Sequence, residues 1–171
     1  MIIVVNDANV LIDLVKLHLL GEFFSLELIF HTTDLVLGEL NDDQLEQLQE
    51  YINGGILNIT TFSSEELIHI GQLQVEKPQL SEQDCSAILC AQMVEGSLIT
   101  SDNTLRKFAT SKNITVRGHL WIFDQLVAHG IISPQEAIEK LTALRTTINP
   151  RLGLPNAECE NRISQWELLQ Q

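Results

Sequence analysis

Four acidic side chains have the type and the positions along the chain to form a catalytic site: Asp7, Glu39, Asp84 and Asp102. The first three have no Lys or Arg within three positions, so local ion pairs do not account for them. Carboxylates that converge without basic partners raise each other's pKa values. A hard divalent cation such as Mg²⁺ or Mn²⁺, which prefers oxygen ligands, relieves that repulsion. The four acids are therefore candidate ligands of a divalent metal ion.

Each of these acids also has a structural explanation. Asp7 and Asp102 can cap the helices that follow them, and Ser81 and Asp84 have the spacing of a capping box. Glu39 can belong to the solvated acidic stretch that follows it. The apolar residues around Glu39, on a predicted helix, and after Asp84 nevertheless predict that both side chains are partly buried.

The elements that position these acids alternate between strands and helices. Short apolar segments rich in β-branched residues predict strands over 2–5, 28–31, 56–62, 97–100 and 114–117. Apolar residues at helical spacing predict helices between them, the first over 9–20, and three more follow over 119–129, 134–148 and 157–169. This order predicts an α/β fold with a mostly parallel sheet and helices on both faces. Ligands of such folds bind beyond the carboxyl ends of the strands, where Asp7 and Asp102 both fall.

Composition limits the class of protein. The chain has 44% apolar and 19% charged residues and no apolar stretch of the length that a membrane span needs. Its three cysteines form no C-x-x-C pair, and no export signal precedes the first strand. We therefore expect a cytoplasmic protein with neither a disulfide framework nor a zinc site.

The charge is unevenly distributed along the chain. Residues 1–100 hold 16 acidic and two basic side chains, whereas residues 101–171 hold seven acidic and eight basic ones. The net charge of −13 argues against a general nucleic-acid binder. Four basic residues nevertheless follow Asp102 within a short segment, where they can contact phosphates or form a solvated helix face: Arg106, Lys107, Lys112 and Arg117.

Four sequence blocks carry a family resemblance. VVNDANVLIDL, DLVLGEL, LSEQDCSAILCAQ and SLITSDNTLRKFA resemble, in order and spacing, the motif blocks of PIN-domain ribonucleases. GHLWIFDQLVAHGIISPQEAIEKLTAL is similar to the segment that follows in VapC-like toxins of bacterial toxin–antitoxin systems. The likeness covers residues 2–148. It implies a three-layer α/β/α nuclease domain over residues 1–150, with residues 151–171 as a helical extension packed on that domain and without an assigned role.

The resemblance also implies residue roles and partners. Asp7 and Asp102 would be the principal ligands of one or two Mg²⁺ or Mn²⁺ ions, and Glu39 and Asp84 would bind a second ion or orient water. Thr100 matches the small hydroxyl residue that supports the site, whereas Asn103 stands where some members carry a further acid. The implied activity is endoribonuclease, with RNA as substrate, a cognate antitoxin as partner and a homodimer as the assembly.

Two other functions compete with a ribonuclease. A haloacid-dehalogenase-type phosphatase would need a second Asp where Asn9 stands, and it would leave Glu39 and Asp84 without a role. A PIN-like module that binds RNA or protein without catalysis is the second alternative. Two further predictions are that Ser101 has no triad partner and that Trp121 belongs to the core.

Overall fold

The five strands form one sheet in which all neighbours run parallel, in the order β3–β2–β1–β4–β5. The computed structural model describes residues 1–171. The strands are β1 (Ile2–Asn6), β2 (Leu28–Thr33), β3 (Leu57–Thr60), β4 (Ser97–Ile99) and β5 (Val116–Arg117). The all-parallel sheet, flanked by helices, confirms the expected three-layer α/β/α fold.

The order in which strands are added to the sheet reverses between β1 and β4, which is the topological switch point of the fold. After β1 the chain adds β2 and then β3 on one side, and it then crosses back to add β4 and β5 on the other side of β1. Asn6 at the end of β1 lies opposite Ile99 at the end of β4, and the Asp7 amide donates to the Ile99 carbonyl at 3.2 Å. A crevice opens at such a switch point, beyond the carboxyl ends of the two strands.

Ten α-helices surround the sheet. They are α1 (Ala8–Lys16), α2 (Leu20–Phe24), α3 (Asp34–Leu37), α4 (Asp42–Asn53), α5 (Ser64–Glu76), α6 (Glu82–Val94), α7 (Asn103–Ser111), α8 (His119–Ala128), α9 (Pro134–Ala143) and α10 (Asn156–Leu168). None of them combines the length and the apolar character that a membrane crossing requires.

The core is centred on β1 and α6. Val4 and Val5 of β1 are fully buried, and α6 packs across β1, β2 and β4. Every residue of α6 from Cys85 to Ala91 is buried, so the middle of this helix is enclosed on all sides. Asp84 directly precedes this buried stretch and is therefore held at the margin of the core.

The first predicted helix, over 9–20, is wrong in its second half. α1 ends at Lys16, His18 adopts a left-handed conformation (φ 56°), and Gly21, the predicted stop, lies inside α2. The reason is packing: Leu17 and Leu19 are both buried, although two positions along one continuous helix would point in nearly opposite directions. The turn between α1 and α2 lets both side chains reach the core.

Residues beyond Pro150 pack on the rest of the chain. The helix predicted over 134–148 is α-helical only to Ala143 and continues as a π-helical turn, Leu144–Ile148. α10 then packs against α9 with Cys159 and Trp166 buried. The guanidinium of Arg162 in α10 also donates three hydrogen bonds of 2.8–3.1 Å to the carboxylate of Asp124 in α8.

Candidate active site

Asp7 is the buried acid of the site. It directly follows β1 and caps α1, with its Oδ1 accepting from the Val10 amide at 2.9 Å. Only 4% of the residue is exposed. Burial raises its pKa from 3.8 to about 6, and the charge of Asp84 adds to that rise, against the opposing effects of two hydrogen bonds and of His119. Asp7 is thus a carboxylate that has been buried without a cation to pair with it.

Thr100 connects Asp7 to Asp102 across the switch point. The Thr100 hydroxyl donates to Asp7 Oδ2 and accepts from the Asp102 amide at 3.2 Å. Asp102 then caps α7, with its Oδ1 accepting from the Leu105 amide at 2.7 Å, and is exposed. The strand pairing therefore brings the first and last of the four acids to one edge of the sheet, as the sequence predicts.

Asp84 approaches the site from α6. Its Oδ2 accepts from the Ser81 amide at 3.0 Å and closes the predicted capping box. The hydroxyl of Ser86, two residues further along α6, bonds the hydroxyl of Thr33 at the end of β2 with 2.8 Å between the oxygens. This contact fixes the start of α6 against the same carboxyl edge of the sheet that carries Asp7.

Glu39 does not lie on a helix, which corrects the prediction. Glu39 follows α3 in a turn, because α3 ends at Leu37 and the side chain of Leu40 is buried in the core. Glu39 is exposed, yet partial burial of its carboxyl, followed by the charge of Asp84, raises its pKa. Because Asp84 raises the pKa of both Glu39 and Asp7, it is the acid that links these two electrostatically.

The chemistry of these donors fits a divalent cation, although the side chains are not assembled into a finished metal site. No group of three or more Asp, Glu, His or Cys side chains is arranged to hold a metal ion. None of the four acids forms an ion pair with Lys, Arg or His. Asp84 Oδ1 and Asp102 Oδ2 accept no hydrogen bond, so each carboxylate keeps a free oxygen beside its cap. Capping and metal binding are therefore compatible at both positions.

Comparison with known families agrees with this geometry. Residues 3–166 match the DUF3368 family, which is described as a PIN domain. The chain belongs to the PIN-domain family. No protein with a curated function matches the chain. PIN domains are generally nucleases, and the matched region runs through β1, α6 and β4 and on into α10.

This PIN domain also contains a buried network of hydrogen bonds that begins at Ser101, the residue before Asp102. The Ser101 hydroxyl lies 2.7 Å from His119 Nδ1, and His119 Nε2 lies 2.9 Å from Asp13 Oδ2. The prediction that Ser101 lacks such partners is wrong. Asn149 also donates to Asp13, at 3.1 Å. His119 and Asp13 are almost fully buried, so the network ties α1, α8 and the Ser101 loop together from inside the domain.

One sequence feature could have revealed this network. Asp13 is a charged residue with only apolar neighbours in VLIDLV, so a buried carboxylate with a partner is expected there. His119 could not be identified as that partner from the sequence, because it is 106 positions away and the contact depends on where α8 lies relative to α1.

The four residues of the predicted basic strip in this PIN domain do not share one surface. Arg106 and Arg117 line a cavity of about 420 Å³ that begins at Ser101, next to Asp102. Lys112 instead pairs with Glu76 at 2.7 Å and lines a different cavity near the amino ends of β4 and β5. Lys107 is exposed on α7. The predicted basic strip is therefore split, and Lys112 faces away from the acids.

Proposed function

We propose that this PIN domain is a metal-dependent endoribonuclease that hydrolyses phosphodiester bonds of RNA at the switch point between β1 and β4. The observation that carries the proposal is Asp7: a buried carboxylate without a cationic partner, in the field of Asp84, at the edge of the sheet where ligands bind. Such an arrangement costs folding stability, and a divalent cation offsets that cost. Perturbed acids of this kind are typical of functional sites.

The four acids would divide the work. Asp7 and Asp102 would be the principal ligands, and Asp84 and Glu39 would hold a second ion or orient water. Bound Mg²⁺ or Mn²⁺ would supply a water of lowered pKa and neutralise charge on the scissile phosphate. Thr100 supports the site by fixing the orientation of the Asp7 carboxylate through its hydroxyl. The caps of α6 and α7 restrict Asp84 and Asp102 in the same way, which reduces the ordering needed when substrate binds.

RNA would be held by the cations closest to Asp102. Arg106 follows it by one helical turn and donates through Nη1 to the Thr100 carbonyl at 2.8 Å, which leaves its remaining N–H groups for phosphate. Arg117 and Lys107 would contribute further phosphate contacts. Lys112 is not included, since its ammonium is already paired with Glu76.

The biological role that we propose is that of a toxin of a bacterial toxin–antitoxin pair. The support is the similarity of residues 118–144 to the corresponding segment of VapC-like toxins. A small antitoxin would then cover the acidic edge, and the toxin would act as a homodimer.

The test is RNA cleavage by purified protein with Mg²⁺ or Mn²⁺, together with growth after induced expression. Asp7→Asn and Asp102→Asn should each abolish cleavage and relieve growth arrest. Glu167→Gln is a matched control, because Glu167 is an exposed acid in the last turn of α10, a helix that carries none of the proposed ligands. Cleavage or toxicity that is unchanged in Asp7→Asn would show that the mechanism is wrong.

A binding module without catalysis is the alternative that the unassembled acids favour. It predicts RNA binding without cleavage at any metal concentration. The same assay therefore separates the two functions.

A further inference from the structure

Four of the chain's five arginines line two cavities that meet beside Asp102. The first cavity, of about 420 Å³, contains Arg106, Arg117 and Arg162. The second, of about 390 Å³, contains Arg151. Both include Ser101, Asn103 and His119 in their walls, and we call the two together the arginine cleft. In a chain of net charge −13 this concentration of guanidinium groups marks a place for an anion.

Two of these arginines are free to bind a ligand. Arg162 is held by Asp124, and Arg106 has one nitrogen engaged with a backbone carbonyl. The guanidinium groups of Arg117 and Arg151 make no hydrogen bond and no ion pair, and both residues are exposed. Each cavity thus contains one guanidinium whose N–H groups are all available to a ligand, and the first cavity also contains Arg106, which has one nitrogen engaged. Its remaining acids are Asp102 at one rim and Asp124 and Glu158 in the first cavity, of which Asp124 is neutralised by Arg162.

Trp121 gives the cleft an aromatic surface. It is half-buried and lines the first cavity, while its neighbours Leu120 and Ile122 are buried in the core. The prediction that Trp121 belongs to the core is therefore only partly correct, because the residue packs against the core and also lines this cavity. The guanidinium carbon of Arg117 lies 5.8 Å from the centre of the indole ring, within the range of a cation–π contact. An aromatic face next to a free arginine suits a nucleobase and its adjoining phosphate.

The C-terminal segment closes this cleft. Arg151 and Leu152 form part of the second cavity, and Gly153, Leu154 and Pro155 form part of the first. The sequence indicated no role for this segment. It is followed by α10, which is bound to α8 through the ion pair of Arg162 with Asp124. Residues 151–155 thus form a wall that runs past both cavities next to Asp102.

We propose that the arginine cleft binds the unpaired nucleotide next to the cleaved phosphate, with its base stacked on Trp121 and its phosphates on Arg117 and Arg151. The proposal rests on the proposed function, because it treats Asp102 as the neighbouring cleavage site. It assigns a single-stranded RNA segment to the cleft, since only an unpaired base exposes its face for stacking.

Binding of a fluorescein-labelled oligoadenylate tests the proposal. The measurements are made with Mg²⁺ on the Asp7→Asn background, so that the probe stays intact. Trp121→Ala should weaken binding about tenfold or more, the usual effect of removing one stacking contact. Arg117→Ala should also weaken binding. It should make the negative slope of log affinity against log salt shallower by about 0.7, as expected for one lost phosphate contact to a single strand. Trp121→Ala should leave that slope unchanged.

A matched control distinguishes the cleft from general loss of charge. Lys16→Ala also removes a positive charge, but Lys16 is exposed at the end of α1 and lines neither cavity of the arginine cleft. We expect it to bind the oligoadenylate as the background protein does. Arg117 is exposed, so its variant should fold even if Trp121→Ala does not.

The outcomes separate this proposal from the proposed function. If neither Trp121→Ala nor Arg117→Ala changes the affinity more than Lys16→Ala does, the cleft does not bind RNA and the inference is overturned. If wild-type protein cleaves RNA and these variants cleave it equally well at low substrate concentration, the nuclease stands and the cleft proposal fails. If the variants lose binding but wild-type protein cleaves nothing, the cleft stands and the nuclease proposal fails.

Discussion

Replacing the buried acid Asp7 with Asn should make the protein more stable at neutral pH, although the residue is proposed to be essential for activity. The ionised carboxylate is 4% exposed and has no cationic partner. Its pKa rises from 3.8 to about 6 on folding. A difference of that size corresponds to about 3 kcal/mol of unfolding free energy lost when Asp7 is charged.

The pH dependence has a definite sign. Between pH 3.8 and about 6 the folded protein binds more protons at Asp7 than the unfolded chain does. The free energy of unfolding that Asp7 contributes is therefore fully present below pH 3.8 and falls as pH rises to about 6. Asn carries no charge and shows no such loss. Asn can also keep both contacts, because its oxygen accepts from Val10 and its amide can donate to a reoriented Thr100 hydroxyl.

The assay is urea denaturation of wild-type and Asp7→Asn protein from about pH 4 to pH 8 in EDTA. We expect Asp7→Asn to be more stable by about 1–3 kcal/mol at neutral pH and nearly equal to wild type at the acid end. Mg²⁺ should then raise the stability of wild-type protein more than that of the variant, since the ion binds the folded site. A variant that is less stable at pH 7, or a difference that does not shrink on acidification, would refute the account of Asp7 as an uncompensated charge.

Asp13→Asn provides the matched control. Asp13 is equally buried, but its carboxylate accepts from His119 and Asn149. The same substitution there replaces an acceptor oxygen with an NH₂ group that faces donors, and it should destabilise the protein by about 1–3 kcal/mol. If both substitutions stabilise the protein, burial alone governs the result and the presence of a partner is irrelevant.

Three further perturbations test the surroundings of the site. Thr100→Val removes a hydrogen bond that lowers the pKa of Asp7, so that pKa should rise above about 6 and Mn²⁺ affinity at neutral pH should fall; an unchanged titration by NMR would exclude this role. His119→Ala leaves a buried carboxylate on α1 without its partner and should cost about 3–5 kcal/mol in urea denaturation, whereas a cost below about 1 kcal/mol would mean the pair is dispensable. Gly118→Ala places a methyl group 2.8 Å from the Ser101 hydroxyl and should cost about 1–3 kcal/mol, and a neutral result would show that the loop yields easily.

The strands and most helix starts could be predicted because their causes are local. Segments rich in β-branched residues predicted the five strands, and the capping residues Asp7, Ser81 and Asp102 indicated the starts of α1, α6 and α7. The early end of α1 could not be predicted, since it follows from the need to bring both Leu17 and Leu19 into the core. The turn at Glu39 has the same origin in the burial of Leu40.

The candidate site was predictable only in part. The parallel direction of the strands places Asp7 and Asp102 at one edge, and that direction follows from the alternating pattern of elements. The order of the strands, which makes β1 and β4 neighbours, was not predicted. The contact of Asp13 with His119 and the meeting of Arg151 with Asp102 in one cavity depend on packing between distant segments. Spacing along the chain also grouped Lys112 with Arg106, although the far end of α7 directs it to Glu76.

Metal-dependent cleavage at Asp7 is tested most directly by a titration of RNA cleavage with Mn²⁺, comparing wild-type and Asp7→Asn protein. We expect wild-type cleavage to rise from zero in EDTA to a plateau, whereas the variant, folded and at least as stable, should stay at zero throughout. Cleavage by wild-type protein that persists in EDTA, or the same titration curve for both proteins, would contradict this expectation.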